Sequence, residues 1–203
     1  MKRFDKSRRR LRIPGNQRKR IILEQAMELF ARRGFHGISI EEIAKASKIS
    51  KPVLYDHFHS KHDLYLQVSR EIRERLLMVG KQVIMSQQSL VARIRAGVEA
   101  FFVFAEENPA AIRILLLPYQ DEKKLCRAIQ VIQDEATASI MKMILDAGVR
   151  VPDNDVGIEQ LKIQVEFIKQ GLHALAEWRI QHPSVSRDAI VAAISKLICS
   201  GLD

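Results

Sequence analysis

Apolar residues recur every three or four positions along most of this 203-residue chain, which is the spacing of one buried face of an α-helix. Proline, glycine and asparagine residues interrupt the pattern and mark the ends of the periodic segments. The pattern predicts an all-α protein with about nine helices, with a break at Gly80 and a fourth helix that runs to about residue 79 or beyond. The predicted helices cover approximately residues 17–33, 40–44, 50–58, 61–79, 89–107, 109–117, 121–147, 155–181 and 187–201.

Residues 38–61 carry the sharpest local signals, because two helices start within them. Ser39 and Glu42 fit a capping box, in which the hydroxyl accepts the amide of Glu42 and the carboxylate accepts the amide of Ser39. Ser50 is a favourable N-cap for the second helix. Pro52 falls in the first turn of that helix, where a backbone amide would have no acceptor within the helix, so proline costs no hydrogen bond. Two short helices joined by a tight turn are typical of a helix-turn-helix.

The second of these helices has two different edges. Leu54 and Phe58 lie four residues apart and predict its buried edge, whereas Lys51, Tyr55 and His57 occupy the outer face. An outer face with a cation, a phenol and an imidazole suits a recognition helix that enters a groove of DNA.

A wider set of residues surrounds this motif with family-specific spacing. Its members are Ile22, Ala26, Leu29, Phe30, Gly34, Phe35, Ser39, Ile43, Ala44, Ile49, Ser50, Leu54, Tyr55, His57, Phe58, Lys61 and Leu64. With these residues the chain resembles the TetR family of transcriptional regulators. It departs from the family pattern at Lys48, where the turn generally has glycine, and at Val53, where a small hydroxyl residue is common.

The resemblance implies a three-helix DNA-binding domain followed by a larger helical domain that binds a ligand and dimerises. We expect a basic N-terminal arm at residues 1–15, the DNA-binding domain at 16–64 with its motif at 39–58, and the larger domain at 65–203. Lys61 adds a positive charge at a helix N-terminus, where a phosphate is favoured. The expected DNA-binding residues are Ser39, Ser50, Lys51, Pro52, Val53, Tyr55, His57 and Lys61.

The net charge of +9 is concentrated at one end of the chain. Residues 1–20 hold ten lysines and arginines against Asp5 alone, which accounts for the whole excess. Such a cluster favours a polyanionic partner, and the adjoining helix-turn-helix favours double-stranded DNA over an acidic membrane. We therefore expect the arm to contact phosphates or the minor groove; the alternative is a solvated tail.

Other classes of site are not indicated. Cys126 and Cys199 show neither metal-ligand spacing nor a disulfide framework, and His57, His59 and His62 span a helix boundary without a carboxylate or thiol to join them. No catalytic arrangement, metal site or cofactor motif is recognised. The chain has no secretory hydrophobic segment and no run of about 18 apolar residues, so we expect a cytoplasmic protein that does not span a membrane.

The last two predicted helices carry wide apolar stripes, which suggest more than one packing partner. The resemblance implies that they pair with their copies in a second subunit; the alternative is that they fill only the core of one chain. The expected dimerisation residues are Phe167, Leu172, Leu175, Ile190, Ile194, Leu197 and Ile198.

The middle helices hold aromatic residues that could surround a small, largely apolar inducer, as the resemblance implies, although each is also a plausible core residue. The ligand-binding candidates are Phe101, Phe104, Phe167, His173 and Trp178. The favoured hypothesis is a homodimeric repressor that binds a palindromic operator and is released by a ligand. A non-sensing architectural DNA-binding dimer and, less favoured, a helical enzyme are the alternatives. The sequence leaves open the inducer, the operator and the sign of regulation.

Overall fold

The computed structural model describes residues 14–116, 123–152 and 154–200, and every regular element within them is an α-helix. The all-α prediction is confirmed, and the helices in these ranges are nine in number. Residues 1–13 of the predicted arm, the predicted helix boundaries at 117 and 121, and the end at 201 lie outside the described residues. The helices are α1 (Gly15–Arg33), α2 (Ile40–Ala46), α3 (Lys51–Tyr55), α4 (Lys61–Met85), α5 (Leu90–Glu107), α6 (Pro109–Leu116), α7 (Lys123–Asp146), α8 (Asp155–Gln181) and α9 (Arg187–Ser200).

Helix α4 departs from its predicted length, because it continues through Gly80 to Met85. A glycine inside a helix costs about 1 kcal/mol relative to alanine, which neighbouring packing can offset. Packing of α4 against α5 and α7 supplies that compensation here. Gly80 also lines an internal cavity, where a missing side chain leaves space. The prediction of a break at this residue was wrong.

Three aromatic rings form the centre of the N-terminal bundle. Phe30 of α1 lies 4.9 Å from the ring of Tyr65 in α4, with the rings nearly perpendicular, and Phe35 lies 5.4 Å from Tyr65. Phe30 and Tyr65 are completely buried, as are Leu54 and Phe58 from the recognition helix and its following turn. This core fixes the angle between α3 and the first half of α4.

The bundle and the larger helical part share one continuous core. Helix α1 packs against both α4 and α6, and α4 packs against α5 and α7 after it leaves the bundle. The helices α1 to α3 are therefore joined to the remaining helices by packed surfaces as well as by the chain.

The turn between α2 and α3 is a Schellman motif, with the amide of Ile49 donating to the carbonyl of Ala44 and that of Lys48 to Lys45. Lys48 occupies the left-handed position with φ of 56°. The same motif ends α7, where Gly148 takes the equivalent position with φ of 97°. A lysine at this position carries a conformational strain that glycine avoids.

We predict that Lys48→Gly leaves stability unchanged or raises it by up to about 1 kcal/mol, because glycine adopts positive φ without a Cβ clash. The matched variant Lys45→Gly makes the same chemical change at an exposed position inside α2 and should destabilise by about 1 kcal/mol. Urea denaturation of both variants measures the difference. Equal losses of stability would mean that Lys48 is not strained.

Candidate nucleic-acid interface and internal cavity

The first helix of the motif is held by a complete capping box. The amide of Ser39 donates to Glu42 at 2.8 Å, and the amide of Glu42 donates to the hydroxyl of Ser39 at 3.2 Å. Arg33 of α1 donates to the other carboxylate oxygen of Glu42 at 2.6 Å. The Ser39 amide, then Arg33 and the Ser39 hydroxyl, lower the pKa of Glu42 to about 2. The box therefore ties α2 to the end of α1.

The recognition helix α3 exposes its polar edge, as its sequence pattern predicts. Leu54 is fully buried, whereas Lys51 and Pro52 are exposed and Tyr55 is 43% exposed. Val53 and His57 are half-buried, and Ser50 is exposed at the N-cap without a side-chain capping bond.

Lys51 is already paired within the chain. Its ammonium group forms a short ion pair with Glu41 of α2 and lies 5.9 Å from the centre of the Tyr55 ring. The hydrogen bond to Glu41 raises the pKa of Lys51, and the same bond lowers the pKa of Glu41. Glu41 was not among the predicted site residues, although its carboxylate affects how readily Lys51 could contact a phosphate.

The start of α4 presents a lysine beside an occupied helix N-terminus. The Lys61 ammonium lies 4.6 Å from the centre of the Phe35 ring, which holds it beside the first turn. The hydroxyl of Ser60 accepts the amide of Asp63 at 3.1 Å, and the Asp63 carboxylate accepts the amide of His59 at 2.8 Å. Asp63 therefore places a negative charge at the positive end of the helix dipole, and Lys61 adds a positive charge beside it.

Helix α1 adds groups beside the recognition helix that the sequence pattern did not single out. A Cβ built on Gly15 would lie 4.0 Å from the His57 ring, so the start of α1 adjoins the turn that follows α3. Lys19 lies 5.8 Å from the centre of the Phe58 ring. The dense basic cluster at 1–20 was the available signal for this second positive surface.

The described residues form neither a metal-binding group nor a membrane-spanning helix. Within residues 14–116, 123–152 and 154–200, no three His, Cys, Asp or Glu side chains are grouped so as to hold a metal ion. Among the helices in those ranges, none has the length and apolar character needed to cross a bilayer.

A cavity of about 250 Å³ lies inside the larger helical part, mainly between α4, α5, α7 and α8. Its wall is almost wholly aliphatic and aromatic, and it includes Phe101 and His173, two of the predicted ligand-binding residues. Their ring centres are 5.5 Å apart. An apolar cavity with a few polar groups is the usual form of a small-molecule site.

The other three ligand-binding candidates do not line this cavity. Phe104 is buried one helical turn beyond the last α5 residue of the wall. Phe167 is 72% exposed, and Trp178 is 40% exposed and stacks on His182 at 4.1 Å. The reason is helical phase, because the wall uses α8 positions such as Val165 and His173, from which 167 and 178 are rotated to another face.

One end of the cavity carries a cluster of buried polar groups. Lys169 donates to Glu166 at 2.7 Å and to the hydroxyl of Thr137 at 2.7 Å, and Thr137 donates to Glu166. Burial by itself would raise the pKa of Glu166, but hydrogen bonds from Lys169 and Thr137 outweigh it and lower the pKa overall. The cluster therefore holds a paired ammonium and carboxylate between α7 and α8.

His173 is next to this cluster and is kept neutral. Desolvation is the largest cause that lowers its pKa, followed by the positive charges of Arg73 and Lys169; Glu166 opposes the shift, and the pKa falls to about 4. A neutral imidazole can accept or donate one hydrogen bond inside the cavity.

The predicted dimerisation residues divide into an inward and an outward set. Ile190 is buried against its own chain, and four others pack at least partly against the same core. Those four are Leu172, Leu175, Ile194 and Ile198. Phe167 and Leu197 are exposed, at 72% and 62%. For Ile190 the expectation of an intersubunit surface is corrected, because its stripe on α9 faces α5.

Two outward apolar stripes remain on the last helices. On α8, Ile163, Phe167, and Trp178 share one side with Gly171 and Ala174. On α9, Ala189, Ala193 and Leu197 recur at intervals of four and are exposed. Ile163, at 62% exposed, belongs with the outward set although it was not among the predicted interface residues.

Comparison with known proteins agrees with this geometry. A family described as "Bacterial regulatory proteins, tetR family" matches residues 22–68. The chain is 28% identical over 200 residues to the HTH-type transcriptional activator FasR of Mycolicibacterium smegmatis, across 97% of this chain and 88% of the relative. It is 24% identical over 188 residues to the HTH-type transcriptional repressor KstR2 of Rhodococcus jostii, across 89% of each.

A solved structure shows the same fold. The fatty acid degradation regulator FadR from Bacillus halodurans superposes with a TM-score of 0.76 over 91% of this chain and 99% of the other, at 16% identity. The matching family and both relatives named above are transcriptional regulators, not enzymes.

The lowered pKa of His173 predicts a pH-dependent stability difference. Between pH 6.5 and about 4 the unfolded chain binds a proton at this residue that the folded chain does not, so stability falls as the pH is lowered through that window. Replacement by phenylalanine should remove this contribution of roughly 3 kcal/mol. Urea titrations of both proteins at pH 7 and pH 4 measure the two slopes, and parallel profiles would contradict the buried neutral imidazole.

Proposed function

Because this chain belongs to the TetR family of bacterial regulatory proteins, we propose that it is a homodimeric, ligand-responsive regulator that binds a palindromic DNA operator. Repression, relieved by a small and largely apolar ligand, is the proposed mode of action. One observation carries the proposal: a single helix, α4, supports the exposed recognition helix at its start and lines an apolar cavity further along.

Residues 16–64 are proposed as the DNA-binding domain, with α3 in the major groove. Tyr55 and Lys51 project from its exposed face, and Lys61 faces a phosphate at the start of α4. Lys51 must exchange its pairing with Glu41 for a contact with DNA. Ser39, Ser50, Pro52, Val53 and His57 complete the proposed surface.

Residues 65–203 are proposed as the ligand-binding and dimerisation domain. The outward stripes of α8 and α9 are suited to packing against a second copy, since exposed Phe167 and Leu197 gain by burial. A two-fold dimer places its recognition helices on two half-sites about 34 to 36 Å apart along the duplex. The basic arm at 1–15 is proposed to add phosphate contacts.

Ligand release follows from how the helices are connected. A ligand that alters the packing of α4 beside the cavity changes the position of its first turn and therefore of α3. Both recognition helices cannot then engage their major grooves at the required spacing. The cavity favours this sensing role over an architectural role, since a purely structural dimer has no use for an internal apolar space.

Operator binding tests the recognition surface. After an operator is selected from a random DNA pool, Tyr55→Ala should weaken binding about tenfold, because it removes a groove contact. Lys61→Ala should weaken binding and reduce the salt slope by about one unit, as expected for one lost phosphate contact. Fluorescence anisotropy at several salt concentrations measures both quantities.

Lys142→Ala is the matched control, because this lysine is 78% exposed on α7 and distant in sequence from the motif. It should retain the affinity and the salt slope of the parent protein. If Tyr55→Ala and Lys61→Ala both behave like this control, the assignment of the recognition surface is wrong.

Sedimentation tests the proposed dimer. Phe167→Glu and Leu197→Glu should each shift the protein toward monomers and lower operator affinity, because a charge would be buried in an apolar interface. Both side chains are largely exposed in one chain, so the fold should survive. Val91→Glu changes a residue that is also 62% exposed but lies on α5, and it should remain a dimer. A monomeric parent protein at micromolar concentration would refute the proposal.

A further inference from the structure

The side chain of a buried histidine on the cavity wall has no hydrogen-bond partner among the described residues. This histidine, His173, lines the cavity and is only 6% exposed. The ring of Phe101 lies beside it, with 5.5 Å between the ring centres, but a phenylalanine ring is not a conventional hydrogen-bond acceptor. Because a buried polar group without a hydrogen bond is costly, the cavity is where a partner for this imidazole is expected.

Lys169 presents a second polar group one helical turn away. Lys169 and His173 are four residues apart on α8 and both line the cavity, so their Cβ atoms lie about 5 to 6 Å apart on one face. The Lys169 ammonium donates to Thr137 and to Glu166, at 2.7 Å each. An ammonium has three N–H groups, so one donor remains beyond these two bonds. A single oxygen atom between the two side chains can therefore hydrogen-bond to both.

The charges around this pair favour an uncharged oxygen group. Glu166 accepts from the Lys169 ammonium, so a carboxylate bound there would bring a second negative charge to the same cation. Arg73 and Arg93 also line the cavity, and each already has a partner within the chain. A cationic group would meet three positive charges in the wall. Both kinds of ion are thus disfavoured beside Lys169.

Away from this polar pair the wall is long and apolar. Along α4 the lining runs from Arg73, whose charge acts on His173, past Leu77 and Gly80 to Ile84. This interval covers about 16 Å of helix axis. Since carbon–carbon bonds are about 1.5 Å long and zigzag, an extended chain of about ten carbon atoms fits within it. No atom would lie within 4 Å of a Cβ built on Gly80, which leaves room for such a chain.

From these features we infer that the cavity takes an uncharged aliphatic molecule of about ten carbon atoms, whose one oxygen group, a hydroxyl or a carbonyl, binds between Lys169 and His173. The inference rests on the proposed function and specifies the ligand of the same cavity. The oxygen accepts the remaining N–H of Lys169. The neutral imidazole accepts from a hydroxyl or donates to a carbonyl, and the alkyl chain extends past Gly80 toward Ile84.

The charge of the ligand's polar group is the first property to test. Isothermal titration calorimetry of the full-length protein at pH 7 with 1-decanol, 2-decanone, decanoate and decyltrimethylammonium keeps the alkyl chain similar while changing that group. The better of the two uncharged probes should bind at least about tenfold more tightly than decanoate, and the cation should bind most weakly. Decanoate binding as tightly as the better uncharged probe, or no binding of any of the four, would overturn the inference.

Variants test the hydrogen bond to the imidazole. His173→Phe keeps a ring of similar size and should weaken binding of the better uncharged probe about tenfold. His173→Gln returns a donor and an acceptor and should recover part of that affinity. The matched control His182→Phe changes an exposed histidine at the end of α8 that does not line the cavity, and it should bind as the parent protein does. Unchanged affinity in His173→Phe, or the same full loss in His173→Gln, would contradict the assigned contact.

Operator titrations separate this inference from the proposed function. The better uncharged probe should weaken operator binding, and operator should weaken binding of that probe by the same factor. Tight binding of the probe with unchanged operator affinity would support the ligand class and refute ligand-controlled DNA release. Operator release by decanoate but by neither uncharged probe would support a sensor and overturn the uncharged ligand.

Discussion

One long helix, α4, packs in two different surroundings and thereby constrains the rest of this structure. Helix α4 packs Leu64, Tyr65 and Val68 into the core that positions the recognition helix. The same helix then supplies Arg73 and Gly80 to the cavity wall. Because an unbroken α-helix transmits displacement along its axis, the position of the recognition helix α3 depends on how the second half of α4 is packed. The continuous core and the contact between α1 and α6 reinforce that dependence.

Local chemistry made the DNA-facing half predictable from sequence. The capping box at Ser39 and Glu42 is decided by neighbouring residues, and the structure contains it. The departure from glycine at Lys48 was also visible in the sequence, because the turn requires a positive φ, which is unfavourable for lysine. The break predicted at Gly80 was wrong, because packing of α4 against α5 offsets the free-energy cost of a glycine inside a helix. That packing joins residues that are far apart in the sequence, so the residues around Gly80 do not reveal it.

The cavity was less predictable because it depends on the rotation of several helices about their own axes. Periodicity showed that α8 is apolar on a wide arc, but not which part of the arc faces inward. Phe167 and Trp178 therefore looked equivalent to His173, although they point away from the wall. Arg73 was missed as well. It continues the buried stripe of Tyr65, Ser69 and Ile72, and a charge within an apolar stripe was the signal available in the sequence.

Helix α4 connects the proposed DNA contact with the cavity. Lys61 and Arg73 lie on the same helix about 18 Å apart along its axis, so one element carries both a proposed phosphate contact and part of the cavity wall. A ligand that displaces the cavity wall formed by α4 acts directly on the helix that supports α3. The coupling is limited to the difference in ligand affinity between the DNA-bound and DNA-free arrangements.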